Sequence, residues 1–292
     1  MVEIEALDAL DLTIWFGRGG DAASRLDCNQ STVSRRSNHC LQVFNLPLQR
    51  DGEGWPLTPD SPLLTMQREV HQLHRLRRGQ GLRLDASLLA APLLRGWSPG
   101  NWVLGNLDAL GWQRPLQLLE HRILDAWITA MGQELQNCRG TDLCCIPLLI
   151  TPMQLAAAAG HPLHGEGELT LNDVAGLPRL APRPGSYPRT EQLLGRWRER
   201  RQALTLECSH KRRASDPAIA ATVRTLHYGT RFSLAHQSDL KPLPLELGVA
   251  TELTLVMRQD VSEHAAMLQL METLRQRATQ AALNDLGTPG RN

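Results

Sequence analysis

Two short helical stretches on either side of a tight turn, between Asp21 and Cys40, constrain this chain more than any other feature. Asp21 is placed to cap a first helix, AASRL, by accepting backbone N–H bonds; Asp27-Cys28-Asn29 makes the turn; Asn29 caps a second helix, QSTVSRRSNHCL. Ala22 and Ala23 allow close approach of the two helices, and Leu26 and Val33 fill the space between them. In a helix-turn-helix, the first residues of the second helix face the base edges of the major groove. Here these are Gln30, Ser31 and Thr32, with Ser34 and Arg35 one turn on. Gln suits adenine and Arg suits guanine O6 and N7. Ser31, Ser34 and Arg36 suit phosphates, as do Arg25 and, further along, Arg50. With Asn29 at the helix start, these residues form the expected DNA-binding set. An ordinary helical hairpin with a solvated basic face has the same local pattern, so the flanking sequence must separate the two readings.

Upstream, Leu7, Leu10 and Ile14 recur at helical spacing within residues 3–16, and Gly17–Gly20 ends that helix. Downstream, residues 47–59 alternate Pro, Gly and charge with short apolar stretches and read as a small β-hairpin, or wing. Residues 62–78 then carry Leu63, Met66, Val70 and Leu73 in steps of three, four and three, a seam of the kind that pairs two helices. Arg68, Arg75, Arg77 and Arg78 lie off that seam, and Gly79 and Gly81 end the helix. A wing and a pairing helix following the hairpin favour the DNA-binding reading.

From Leu82 the pattern changes to short apolar runs alternating with amphipathic helices. Strands are expected at 82–86, 123–129, 143–148, 153–159, 178–182, 230–235 and 252–258. Helices are expected at 114–121, 187–201, 215–225 and 262–282. Such alternation implies α/β units with mostly parallel strands.

The 292 residues suffice for a small domain and a larger one, and a net charge of +1 means that any basic footprint is local. Lys211 and Lys241 are the only lysines, so the cationic groups are almost all guanidinium forks. The acidic start MVEIEALDALD lacks the basic and apolar regions of a signal peptide. No apolar run reaches the roughly 18–20 residues that span a bilayer. The expectation is a cytoplasmic protein without membrane contact, its six cysteines reduced. Cys138, Cys144 and Cys145 read as small buried hydrophobes rather than a redox site, and His39-Cys40 as packing rather than a metal site. No paired carboxylates, GxSxG, Walker loop or HExxH spacing is present, so no enzyme, cofactor or metal is expected. Asp125 reads as a structural hydrogen-bonding residue.

The segment AASRLDCNQSTVSRR resembles the AA-x-x-L-x-x-S-Q-x-x-V-S-x-x signature of LysR-type transcriptional regulators. PLQRDGEGWPLTP is similar to that family's L-F-x-R…LTPAG stretch, and LLEHRILDAWIT to its L-x-x-G-x-L-D-L-A-I strand. AAAAGHPLHGEGELTLNDVAGLPRL resembles its V-P-x-x-H-P-L…L-x-D-L-x-x-x-P-x-I run, and ELTLVMRQDVSEHAAMLQLMETLRQ its closing strand and helix. The resemblance runs from about residue 5 to 278. Asn29, Ser31, Ser37 and Ser61 depart from the usual residues, the linker from Leu57-Thr58-Pro59 to Leu82 is several residues short, and HYGTRFSLAHQ replaces a glycine-rich turn.

The resemblance implies an all-α winged helix-turn-helix and linker helix, then a two-lobed α/β effector domain like a periplasmic binding protein. The boundaries are 1–61 for the DNA-binding domain, 62–80 for the dimerising linker helix and 81–292 for the effector domain. Lobe one is 81–157 with 250–292, and lobe two 158–249. It further implies a homodimer or homotetramer on double-stranded DNA and a small-molecule effector between the lobes. Ser87, Thr129, Ser186, Tyr187 and His227 are the effector candidates it places at the cleft, with helix capping or packing as their ordinary alternative. Function is read as sequence-specific transcriptional regulation. A ligand-independent DNA-binding or assembly protein with a degenerate effector domain is the second reading.

Overall fold

A computed structural model describes residues 2–47, 61–97, 100–106, 113–130, 142–175, 225–234 and 237–286, with 135, 177, 179–181, 192 and 205–207. Residues 48–60, which hold nearly all of the expected wing and Arg50, lie outside these, as do Cys138, Ser186, Tyr187 and almost all of the expected helices 187–201 and 215–225.

The N-terminal segment folds as three helices, α1 (Ile4–Phe16), α2 (Gly19–Arg25) and α3 (Gln30–Val43). Gly17 ends α1 in the left-handed region at φ 69°, its N–H donating to the Thr13 carbonyl. The second helix begins earlier than expected. Gly19 and Gly20 are already helical after Arg18, and Asp21 lies inside the first turn rather than at the cap. Its carboxylate is there still near the positive end of the helix dipole. Asp27, at φ 48°, makes the turn, and Asn29 caps α3 by accepting the Thr32 N–H at 2.8 Å. Next comes α4 (Pro62–Arg78), capped by Ser61, opened by Pro62 and closed by Gly79 at φ 61°.

The remaining elements are β1 (Leu82–Ala86), β2 (Trp102–Leu104), α5 (Gln113–Glu120), β3 (Ala126–Thr129), β4 (Leu143–Ala158), α6 (Leu171–Ala175), β5 (Arg179–Ala181), β6 (Thr205–Glu207), β7 (Leu226–Thr230), α7 (Arg231–Leu234), β8 (Leu240–Pro242), β9 (Ala250–Arg258) and α8 (Ala265–Leu286). The strands join in the order β2-β1-β3-β9-β4-β7-β5-β6, with β8 also on β4. Strand β4 is common to two half-sheets. Its first part pairs with β9 from Leu143 to Pro152, and its last part pairs with β7 and β8 from Met153 to Ala158.

Three strand expectations change. The sheet is mixed rather than mostly parallel, because β9 runs antiparallel to β3 and β4, and β4 antiparallel to β7 and β8. The runs 143–148 and 153–159 are one strand, because β9 offers partners along the first part and β7 takes over without a break. A register shift between Pro147 and Leu149 absorbs the proline. The expected strand 230–235 is instead the last residue of β7 followed by α7. Thr230 and Ser233 cap each other there: the Ser233 hydroxyl accepts the Thr230 N–H at 2.8 Å and the Thr230 hydroxyl accepts the Ser233 N–H at 3.0 Å. Gly229 permits this fold-back, since a Cβ at that position would lie 2.6 Å from the Leu234 side chain.

Alternation along the strands of the first half-sheet sends side chains to two different cores. Leu82, Leu84, Ala126, Ile128, Leu253, Leu255 and Met257 pack in one core with Met267, Leu270 and Leu274 of α8. On the opposite face, Trp127 and Val256 share a second core with Leu118 and Leu119 of α5 and with Leu7, Leu10, Ile14 and Trp15 of α1. The N-terminal helices thus form part of the second helical layer on this sheet.

The two charged residues of β1, Arg83 and Asp85, face that layer and are buried with it. Arg83 reaches Asp8 at 2.6 Å and Asp11 at 3.5 Å, and Arg68 of α4 meets Asp11 at 2.8 Å. Asp125, fully buried just before β3, accepts from Arg75 at 2.8 and 3.2 Å, from Gln72 at 3.0 Å and from the Arg83 backbone N–H at 2.8 Å. Arg122 closes the network by donating to Gln72 at 2.7 Å and pairing with Asp260. Burial disfavours the Arg75 charge, but Asp125 beside it outweighs this and holds the guanidinium above its ordinary value. His71 of α4 is buried in the same junction. Burial drives its imidazole below the ordinary 6.5, against the pull of Asp8 and Asp11.

Asp125→Ala will lower unfolding free energy by about 3 to 5 kcal/mol, because it strands Arg75 without its counter-charge; urea denaturation followed by circular dichroism measures this. The folded chain resists protonating His71 whereas the unfolded chain accepts the proton, so His71 lowers stability as pH falls below 6.5. His71→Gln will flatten the stability–pH curve on that acid side. An unchanged slope in this variant would remove His71 as its source.

Candidate nucleic-acid interface and effector cleft

Helix α3 divides into two faces. Val33, Ser37, Cys40 and Leu41 are buried against α1, while Gln30, Ser31, Ser34, Arg35, Asn38 and Gln42 are exposed. Thr32 and Arg36 are half-buried at the border. Amide, hydroxyl and guanidinium groups therefore project together from one side of a capped helix, as groove reading requires. The Ser31 hydroxyl also donates to the capping Asn29 carboxamide oxygen at 2.7 Å, so both residues hold the helix start. Gln30 lies over Gly19 at the start of α2. Arg25 is exposed, with its guanidinium 5.5 Å from the centre of the Phe16 ring. Ser37 is buried, and its hydroxyl has no hydrogen-bond partner among the described residues. Cys40 is buried between the same helices; burial first, and Asp11 second, push its thiol up to about 12. Such a thiol stays protonated and unreactive at neutral pH.

Helix α4 is amphipathic in an inverted sense. Its buried side is largely polar, with Arg68, His71, Gln72 and Arg75 beside Leu64 and Leu76. The seam residues Leu63, Met66, Val70 and Leu73 are 50–68% exposed. Isolated apolar side chains on a surface are ordinary, but four in register along one helix face are not.

At the other end of β1, the carboxyl edge of the first half-sheet holds two of the expected effector residues together. Strands β1 and β3 are parallel, Ala86 is in register with Ile128, and the Ser87 N–H donates to the Ile128 carbonyl at 2.8 Å. Ser87 and Thr129 are thereby neighbours. The buried Ser87 hydroxyl has no hydrogen-bond partner among the described residues. Carboxyl ends of parallel strands are where open α/β sheets bind ligands. After Ser87 the chain makes a turn followed by one 3-10 turn, Ala91–Leu94, which begins with Ala91-Pro92. His227 lies in β7 of the other half-sheet, in register with Ala156 and Leu180, and burial lowers its pKa. Thr225, just before it, has a buried hydroxyl without a hydrogen-bond partner among the described residues.

Sequence reasoning did not foresee the junction between α1, α4 and β1. Its signal was present in LRLDA, a strand buried along its whole length that carries Arg83 and Asp85 on one face.

Residues 106–279 match the family model of the LysR substrate binding domain, which covers more than half of the chain. The chain belongs to the LysR family of transcriptional regulators. Among solved structures, it is similar to a full-length OxyR variant from Pseudomonas aeruginosa, with 14% identity, 95% of each chain covered and a TM-score of 0.55. ArgP from Mycobacterium tuberculosis matches at 14% identity over 96% of this chain and 98% of that one, TM-score 0.54. Full-length CbnR in complex with its target DNA matches at 14% identity over 94% and 100%, TM-score 0.53. At such identities the likeness is one of fold. A search of curated proteins finds no match. Among the described residues no helix is long and apolar enough to cross a membrane, and no group of three or more His, Cys, Asp or Glu is placed to hold a metal ion.

Proposed function

We propose that the chain is a sequence-specific DNA-binding regulator that inserts α3 into the major groove and answers to a small molecule held between two lobes. The observation that carries this reading is the exposed polar face of α3 on a helix whose start is fixed by Asn29. Residues 1–61 form the DNA-binding domain, 62–80 the linker helix and 81–292 the effector domain. Lobe one is 81–157 with 250–292, and lobe two is 158–249. Gln30, Thr32, Ser34 and Arg35 read bases. Arg25, Asn29, Ser31, Arg36 and Arg50 hold the backbone. The Ser87–Thr129 pair marks the lobe-one wall of the effector site, and the unsatisfied Ser87 hydroxyl favours an effector with a hydrogen-bonding polar group. Ser186, Tyr187 and His227 belong to the opposite wall. A second copy of the chain covers the α4 seam, giving a homodimer or a homotetramer built from it.

Fluorescence anisotropy against the upstream intergenic duplex and an unrelated duplex will show tighter binding to the first. Arg35→Ala will abolish most of that preference, a loss on the order of 10- to 100-fold. The slope of log affinity against log salt counts phosphate contacts at roughly −0.9 each. Equal affinity for both duplexes, unchanged in Arg35→Ala, would reject base reading by α3. Val70→Glu combined with Leu73→Glu will halve the particle mass seen by light scattering if α4 pairs two chains, and will leave it unaltered if it does not.

A further inference from the structure

A linker helix suggests a DNA-binding head tethered to an independent effector domain, but the contacts of α1 describe something else. Helix α1 is buried on nearly every side, and its apolar residues share one continuous core with α5, β3 and β9. Small helical units bury little apolar surface by themselves, so a shared core adds to their stability. Lobe one therefore completes their core rather than carrying them.

Polar contacts fix the orientation of that joint. The Trp15 indole N–H donates to the Asp85 carboxylate at 2.7 Å across the buried boundary. The other Asp85 oxygen accepts the Ala86 N–H at 2.8 Å, immediately before Ser87. A Cβ at Gly105, in the strand-end loop beside β1, would lie 2.2 Å from the Asp85 carboxylate, so the backbone there walls the group in. On the far side, Trp15 stacks on Phe16 with ring centres 4.6 Å apart, and Arg25 of α2 lies over Phe16. Arg114 at the start of α5 donates to the Ile14 carbonyl at 3.0 Å, at the C-terminal end of α1. A run of contacts thus leads from the carboxyl edge of β1, through Asp85 and Trp15, to the helix that abuts α3.

We infer that Asp85 is a positioning residue for the DNA-binding head: through Trp15 it joins α1 to the carboxyl end of β1, so that α1–α3 and lobe one open and close as a single cooperative unit. The recognition face of α3 remains outside this joint, and the head is held in one orientation relative to the cleft edge. This inference concerns the joint alone, and its test uses no DNA, so failure of the DNA-binding reading would leave it standing.

Amide hydrogen exchange on the intact chain, resolved by peptide, tests it. In the unsubstituted protein, peptides of α1 and of β1 will exchange with the same opening constant. Asp85→Ala will speed exchange in α1 on the order of 10- to 100-fold, the loss expected for a buried hydrogen bond to a charged group. Asp85→Asn, which keeps an acceptor of the same shape, will retain most of the protection. Trp15→Phe, which keeps an aromatic ring but lacks the donor, will reproduce the effect of Asp85→Ala. Should Asp85→Ala fail to fold, Trp15→Phe and Gly105→Ala carry the comparison. If α1–α3 exchange independently of β1, or if α1 protection is unaltered in Trp15→Phe, the inference is overturned.

Discussion

Three carboxylates and three guanidinium groups meet where α1, α4 and β1 converge, and the architecture depends on their balance. Asp8, Asp11 and Asp125 face Arg68, Arg75 and Arg83, most of them removed from water, and Arg122 beside them pairs with Asp260. Removing charges from water is costly, and mutual attraction repays that cost only where geometry and further hydrogen bonds are good. Asp125 satisfies this condition, since its two oxygens accept from two side chains and one backbone N–H. The result is specificity of placement: an apolar contact tolerates sliding, whereas a fork paired with a carboxylate fixes both distance and direction.

That junction explains why α4 exposes its apolar side. The polar residues that a surface helix would turn to water, Arg68, Gln72 and Arg75, are held by Asp11 of α1 and by Asp125 just before β3, which leaves Leu63, Met66, Val70 and Leu73 facing outward. The short linker noted in the sequence fits the same picture. With few residues between the helices and the sheet, the N-terminal segment lies directly against α5 and β9.

Much of this was legible in the sequence, and the parts that were not have physical causes. Caps and breakers are local, so Asn29, Gly17 and Gly79 marked helix ends that the fold keeps. The seam of α4 was legible because its period is set within one helix. Asp21 misled because glycine at two successive positions disfavours a helix without preventing one, and α2 starts through them. The break expected within residues 143–159 failed because strand continuity is decided by partners, here β9 and β7, and not by the prolines of the strand itself. Thr230 read as strand and belongs to β7, yet the residues after it form a helix because a reciprocal cap with Ser233 outweighs local β propensity. For the candidate site, Ser87 and Thr129 were identified by likeness and are brought together by strand register. The Trp15–Asp85 contact spans 70 residues of chain, and no local pattern encodes a pairing of that range.

The path of β4 and β9 has a consequence for how the chain is divided. The backbone leaves the first half-sheet after Pro152 and re-enters it at Ala250, and these two residues are direct partners across the strand pair. Between them runs an excursion whose ends meet at Met153 and Val249, which share a backbone hydrogen bond of 2.8 Å. Insertions are tolerated where the ends are already adjacent, because the host loses no contact and little loop-closure entropy. The intervening segment can therefore grow, shrink or change its interior without disturbing the charged junction on the far side of the first half-sheet. The chain separates a part free to diversify from a part that is not, and a single pair of facing residues marks the border.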